Sequence, residues 1–107
     1  MKQITPAELA DWLGEKSRAK PLLLDVREAW EYDKARIAGS QHVPMGQIPA
    51  RKDEIDPAAE IVVICHHGGR SMQVAMFLEK NGFANVHNLA GGVDSWARTV
   101  DPSVPVY

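Results

Sequence analysis

Two short runs constrain this chain more than anything else in it: Leu22-Leu23-Leu24-Asp25-Val26, introduced by Pro21, and Ile61-Val62-Val63-Ile64. Each is too short for a helix and too uniformly apolar for a strand with one wet face. Runs of this kind bury both faces, as strands do inside a parallel sheet covered by helices, and the β-branched residues of the second suit the pleat. The remaining segments supply the covering. Ile4-Thr5-Pro6-Ala7-Glu8-Leu9 reads as a helix start, with Thr5 as N-cap, Pro6 in the first turn, Glu8 closing a capping box, and Ile4 and Leu9 as a hydrophobic staple. Leu9, Trp12 and Leu13 continue it as one apolar stripe, and the polar stretch from Glu15 to Lys20 ends it. Ser71 to Asn81 carries Val74, Ala75 and Leu78 on one face, and Gly82 with Phe83 provides the stop. Val86 to Leu89 reads as a last short strand, Gly91-Gly92 as a turn, and Val93 to Thr99 as a final helix. Between Arg27 and Ala58, Gly39, Pro44, Gly46, Pro49 and Pro57 break the chain into pieces, so loops are expected there around one short strand near Gln41 to Val43. No hairpin signal joins any two strands. The connections must therefore be crossovers, which predicts an α/β fold with a mainly parallel sheet and helices on both faces.

Composition narrows the function. At 107 residues and 45% hydrophobic content the chain has material for one core and is expected to be a single domain over 1–107. Twelve Lys+Arg against 14 Asp+Glu give a net charge of -2, which offers no basic surface to nucleic acid or anionic lipid. No apolar run approaches the roughly 18 residues of a membrane span, and the N-terminus has no secretory leader pattern. The single cysteine, Cys65, cannot form an internal bridge. A free thiol fits a reducing compartment, so a cytoplasmic location is expected, and with nothing to suggest an obligate interface a monomer is expected.

That cysteine ends the second apolar run, at the carboxyl edge of the sheet where open α/β folds gather functional groups. The segment Cys65-His66-His67-Gly68-Gly69-Arg70-Ser71 then turns into a helix. Three effects favour an anion at the sulfur. A helix N-terminus brings unsatisfied N–H groups and the positive end of the macrodipole. Gly68 and Gly69 let successive N–H groups curl inward as a nest. Arg70 adds a fixed positive charge, and such surroundings turn cysteines into nucleophiles. The competing interpretation is a small core residue closing a strand, but a core cysteine has no need of two glycines, an arginine and a helix start after it. Adjacent histidines rarely point at one ion, and no CxxC or HxxxH completes a set with Cys65, His66 and His67, so no metal is expected. His42 and His87 lie in other segments and read as surface or strand-end residues.

The segment from Cys65 to Ser71 resembles the active-site loop of single-domain rhodaneses, a sulfurtransferase family whose loop opens with a persulfide-forming cysteine. Leu23-Leu24-Asp25-Val26-Arg27 is similar to that family's strand ending in Asp-Val-Arg. Glu31 to Pro44 resembles its Gly-Ala-x-x-(Ile/Val)-Pro stretch, and Leu89-Ala90-Gly91-Gly92-Val93 with Trp96 its closing Gly-Gly motif. Arg36 and Ser40 depart from it, standing where the family commonly has His and Ala. The resemblance implies a rhodanese-like sheet of five strands. It also implies that a Cys65 thiolate takes the outer sulfur of a donor such as thiosulfate, holds it as a persulfide, and yields it to a thiophilic acceptor such as cyanide or a thiol, with no metal or organic cofactor.

In that chemistry the inward N–H groups of residues 66 to 70 would stabilise the terminal sulfur, and His66 and His67, neutral near pH 7, would offer hydrogen bonds. The candidate substrate-binding set is thus His66, His67, Gly68, Gly69, Arg70 and Ser71. Arg70 has two roles open to it: meeting the sulfonate of thiosulfate, or bracing the loop against a carboxylate such as Asp25 or Glu31. The brace is expected, because Arg70 already belongs to the helix start. Asp25 and Arg27 are expected to be supporting structural partners. Two other functions share parts of this pattern. A persulfide serving a sulfur-accepting protein would use the same site. Cysteine phosphatases also set Cys and Arg around an anion nest, but with five residues between them where this chain has four, a ring suited to one sulfur atom and too small for a phosphoryl group.

Overall fold

The computed structural model describes residues 1–107 as a parallel sheet with helices on both faces. Five strands, β1 (Lys2–Ile4), β2 (Leu22–Asp25), β3 (Gln41–His42), β4 (Ile61–Ile64) and β5 (Val86–Leu89), lie in the order β1-β5-β4-β2-β3, and every neighbouring pair runs parallel. The uninterrupted Ile61–Ile64 run is the central strand and all four of its residues are buried. β4 pairs with β2 from Leu22↔Ile61 to Asp25↔Ile64, and with β5 from Ile61↔Val86 to Val63↔Asn88. Strand alternation divides the core in two. Val62 and Ile64 face a layer with Leu9 and Trp12 of α1 (Pro6–Gly14) and Val93 and Trp96 of α5 (Gly92–Thr99). Ile61, Val63 and then Cys65 face the other, with Ile48 of α3 (Ile48–Arg51) and Val74, Ala75 and Leu78 of α4 (Gly69–Lys80). The reactive candidate is thereby aimed toward the face that α4 covers.

Helix α1 starts as its sequence demands: Thr5 accepts from the Glu8 N–H at 3.1 Å while Glu8 accepts from the Thr5 N–H at 2.9 Å. Three elements depart from expectation, one of them α3, a single turn in the stretch where loops are expected. A helix, α2 (Ala29–Lys34), stands where only loop was expected. Its pattern inverts the usual rule, since Trp30 is 62% exposed while Glu31 is 4% exposed, so no apolar stripe announces it. It is held at its start by a capping box in which Glu31 accepts from the Glu28 N–H at 3.1 Å. Strand β1 was likewise invisible to pattern, being three residues long with only Ile4 buried. Pairing with β5, from Lys2↔His87 to Ile4↔Leu89, is what makes it a strand.

Candidate active site

Cys65 follows β4 directly and is 1% exposed. Its sulfur receives the Gly68 N–H at 3.1 Å and lies 3.2 Å from the Ser71 hydroxyl. The Gly68 donor exists because the chain turns there through φ +107°, a conformation that L side chains rarely adopt. Gly68 is the N-cap of α4, which begins at Gly69, two residues earlier than the apolar pattern placed it. Arg70 and Ser71 therefore stand on the first turn of a helix rather than in the loop. Of the expected nest, the Gly68 N–H is the backbone donor that reaches the sulfur itself; Gly69 contributes the helix start.

The inward aim of the loop has a cause in the neighbouring helix. At the N-terminus of α5, Val93 N–H donates to the Cys65 carbonyl at 2.9 Å and Asp94 N–H to the His66 carbonyl at 3.0 Å. Unsatisfied donors of one helix thus capture the loop's carbonyls and leave its N–H groups free on the other side. This approach needs Gly92, where a Cβ would meet the Cys65 carbonyl oxygen at 2.3 Å and that of His66 at 2.4 Å. The closing Gly-Gly motif is therefore a packing requirement of the cysteine loop.

Ser71 is in turn tied to Asn88, whose carbonyl oxygen accepts from its hydroxyl. Asn88 donates through Nδ2 to the Gly68 carbonyl at 3.2 Å and to Gln3 Oε1 at 3.0 Å. One hydroxyl carries one proton, so Ser71 donates either to the sulfur or to Asn88. Asn88 escaped the sequence reasoning; its one signal is a buried amide in the otherwise strand-like Val86–Leu89.

Beside the loop, Arg70 grips Glu31 with two parallel bonds of 2.7 and 2.9 Å, the brace expected of it. Its bonds with Arg70 hold the Glu31 carboxyl at about 2, far below the usual carboxylate range, against the opposing effect of burial. Glu31 likewise raises the Arg70 guanidinium above its ordinary value. Asp25 and Arg27, both fully buried, pair with each other at 2.7 Å. Burial works against the Arg27 charge, yet bonds to Asp25 and Tyr107 leave its pKa raised. Tyr107 was not anticipated. Its hydroxyl accepts from Arg27 at 2.7 Å and donates to Glu31 at 2.9 Å, and burial above all pushes it up to about 12. Its ring lies flat on His66, with centroids 3.9 Å apart and planes 7° from parallel.

Burial, then the adjacent His67, lower the His66 pKa, which favours the neutral ring. The two histidine rings do come together, 3.9 Å between centroids, and with the Asp94 carboxylate their ligand atoms lie within 4.8 Å of one another. Asp94 is already engaged by Arg98 at 3.1 Å. His42 and His87 stand apart from the site: His42 bonds the Arg27 carbonyl at 2.7 Å and His87 meets Glu60 at 2.9 Å.

A cysteine at the tip of the central strand of a five-stranded parallel sheet, cradled by the first turn of the next helix, defines a class of site, and comparison with known proteins identifies it. Residues 5–99 match the rhodanese-like domain, and the chain belongs to that family. It is 43% identical over 74 residues to the "Putative sulfur carrier protein YrkF" of Bacillus subtilis, covering 69% of this chain and 40% of that protein. It is 34% identical over 102 residues to the "Putative sulfurtransferase YtwF" of the same organism, covering 95% of this chain and 96% of that one. The crystal structure of a rhodanese-like domain protein from Staphylococcus aureus superposes with a TM-score of 0.85 at 29% identity, covering 100% of this chain and 99% of the other. Several relatives are much longer; the chain spans 40% or less of the first four curated proteins it matches. No helix is long and apolar enough to cross a membrane.

Proposed function

We propose that this protein transfers sulfane sulfur through a persulfide on Cys65. The thiolate attacks the outer sulfur of a donor such as thiosulfate, the Sγ–S bond forms as the donor's S–S bond breaks, and the electron pair leaves with sulfite. A nucleophile, cyanide or a thiol, then attacks the persulfide's terminal sulfur and restores the thiolate. The observation that carries this reading is the convergence of the Gly68 N–H and the Ser71 hydroxyl on Sγ, at 3.1 and 3.2 Å. Fixed donors aimed at a sulfur stabilise negative charge there without reorganisation. The role of α5 is to hold the loop in that pose, and the Arg70–Glu31 clamp braces the turn on which Ser71 stands. Thiol and donors suffice for both half-reactions, so no metal or organic cofactor has a step to perform. The test is intact-protein mass spectrometry after incubation with thiosulfate and, in parallel, with a thiol persulfide. One added sulfur on Cys65 that cyanide removes is expected; no added sulfur with either donor refutes the proposal.

A second reading, favoured by the likeness to a protein named a sulfur carrier, is that the persulfide serves a protein acceptor. Both readings share the first half-reaction and part at the second, where the relay requires faster sulfur loss to a protein thiol than to cyanide.

A further inference from the structure

Both donors that reach the Cys65 sulfur belong to residues held by a third side chain. The Gly68 N–H and the Ser71 hydroxyl lie 3.1 and 3.2 Å from Sγ. Asn88 binds each of those residues, accepting from the Ser71 hydroxyl through Oδ1 and donating from Nδ2 to the Gly68 carbonyl at 3.2 Å. Sheet register puts it there: Asn88 pairs with Val63, two residues before the cysteine, so its side chain faces α4 as those of Val63 and Cys65 do. On its other side Asn88 pairs with Gln3, whose Oε1 takes the second amide proton at 3.0 Å. The amide is thereby fixed in orientation. Turned over, it would set its oxygen against the Gly68 carbonyl, acceptor against acceptor. A carboxamide 1% exposed is costly to bury, and two of its three bonds go to the residues that carry the sulfur's donors.

We propose that Asn88 is a positioning residue for sulfur transfer: it holds the Gly68 and Ser71 donors on the Cys65 sulfur and is the alternate acceptor for the Ser71 proton as charge leaves that sulfur and returns. The inference rests on the persulfide reading and adds a residue to its machinery. In the thiolate, Sγ bears the charge and the hydroxyl points to it. When the Sγ–S bond forms, the charge passes to the terminal sulfur, and the hydroxyl turns about its C–O bond to Asn88 Oδ1. Attack of the thiophile on the terminal sulfur returns the charge to Sγ, and the hydroxyl turns back. No proton is transferred in either turn, and the buried hydroxyl has an acceptor at every stage.

Asn88→Thr is similar in volume, suits a strand and removes the carboxamide. Asn88→Ala, measured beside it, removes the side chain without replacing it, so the test survives a failure of either to fold. Thiosulfate loading of the full chain is followed in time by intact-protein mass spectrometry. Either substitution should lower the maximal loading rate about ten-fold, the lower end of what a hydrogen bond to a charged group is worth. The donor concentration at half-maximal rate should stay within about two-fold of wild type, because Asn88 is buried and presents nothing to a donor. In a Ser71→Ala background the same substitutions should cost only about two-fold, since the hydroxyl they act through is gone. A maximal rate within about two-fold of wild type, or an equal loss with and without Ser71, overturns the proposal. Alkylation of Cys65 by iodoacetamide at pH 7 reads the same two donors with no sulfur donor present. If neither thiosulfate nor a thiol persulfide loads Cys65, but Asn88→Thr slows alkylation about ten-fold and only where Ser71 is present, Asn88 keeps its role and the persulfide reading fails. Wild-type loading and alkylation in the variant refute the role of Asn88 alone.

Discussion

Replacing Glu31 by Gln removes the charge and one acceptor: the amide oxygen can still accept from the Glu28 N–H, while the amide nitrogen takes the place of the oxygen that accepts from Arg70 and the Tyr107 hydroxyl. What disappears is the ionic part of a clamp that spans 39 positions of sequence, from α2 to the first turn of α4. The Glu31 carboxyl is held at about 2 against an ordinary 4.5. At about 1.4 kcal/mol per unit that shift amounts to roughly 3 kcal/mol. Arg70 keeps 37% of its side-chain surface in water, and screening there reduces the expected loss to about 2 kcal/mol. Urea unfolding at pH 7 should therefore show Glu31→Gln less stable by about 2 kcal/mol, with an unchanged m-value. Because the folded-state pKa is depressed, this stabilisation is complete above the unfolded value of 4.5 and is lost as pH falls toward 2. The wild type and the variant should thus converge between about pH 5 and pH 2. Parallel stability profiles across that range, or a difference below about 0.5 kcal/mol at pH 7, would show that the clamp braces nothing.

Cys65→Ser should leave the fold intact, with stability within about 1 kcal/mol since the hydroxyl can still accept from Gly68, and should abolish sulfur transfer; a tenth of wild-type activity would reject Cys65 as the nucleophile. Gly92→Ala should cost about 3 kcal/mol in chemical denaturation and most of the activity, because its methyl collides with the Cys65 and His66 carbonyls at a φ of +61°; a wild-type melting curve would refute the role given to α5. The wild type should hydrolyse no aryl phosphate, and a glycine inserted between Gly68 and Gly69 should weaken sulfur transfer by moving the Gly68 N–H off the sulfur. Phosphatase turnover, or full activity of the insertion variant, would show that loop length is not the discriminator.

Local chemistry was readable wherever a residue's neighbours in sequence are its neighbours in space. Thr5, Pro6 and Glu8 announce α1 because a capping box closes within one turn. The Ile61–Ile64 run announces the central strand because burial on both faces tolerates only apolar side chains. Cys65, Gly68 and Ser71 lie within seven positions of one another, so the loop and its candidate nucleophile could be named from the chain alone. That Arg70 would turn to a carboxylate could be argued from its place at a helix start, but which carboxylate could not, since Asp25 and Glu31 were both open. Asp25 is consumed by Arg27, and only the packed structure brings Glu31 within 2.7 Å of Arg70. The same limit hid Asn88, which joins Ser71 to Gln3, and Tyr107, which bridges Arg27 and Glu31 from 76 positions beyond the latter. It hid α2 as well, whose exposed Trp30 and buried Glu31 reverse the ordinary pattern because a partner distant in sequence satisfies the buried charge. Periodicity records which side chains leave water; it carries no record of the partner that each buried polar group finds, and that partner is chosen only when the strands and helices pack.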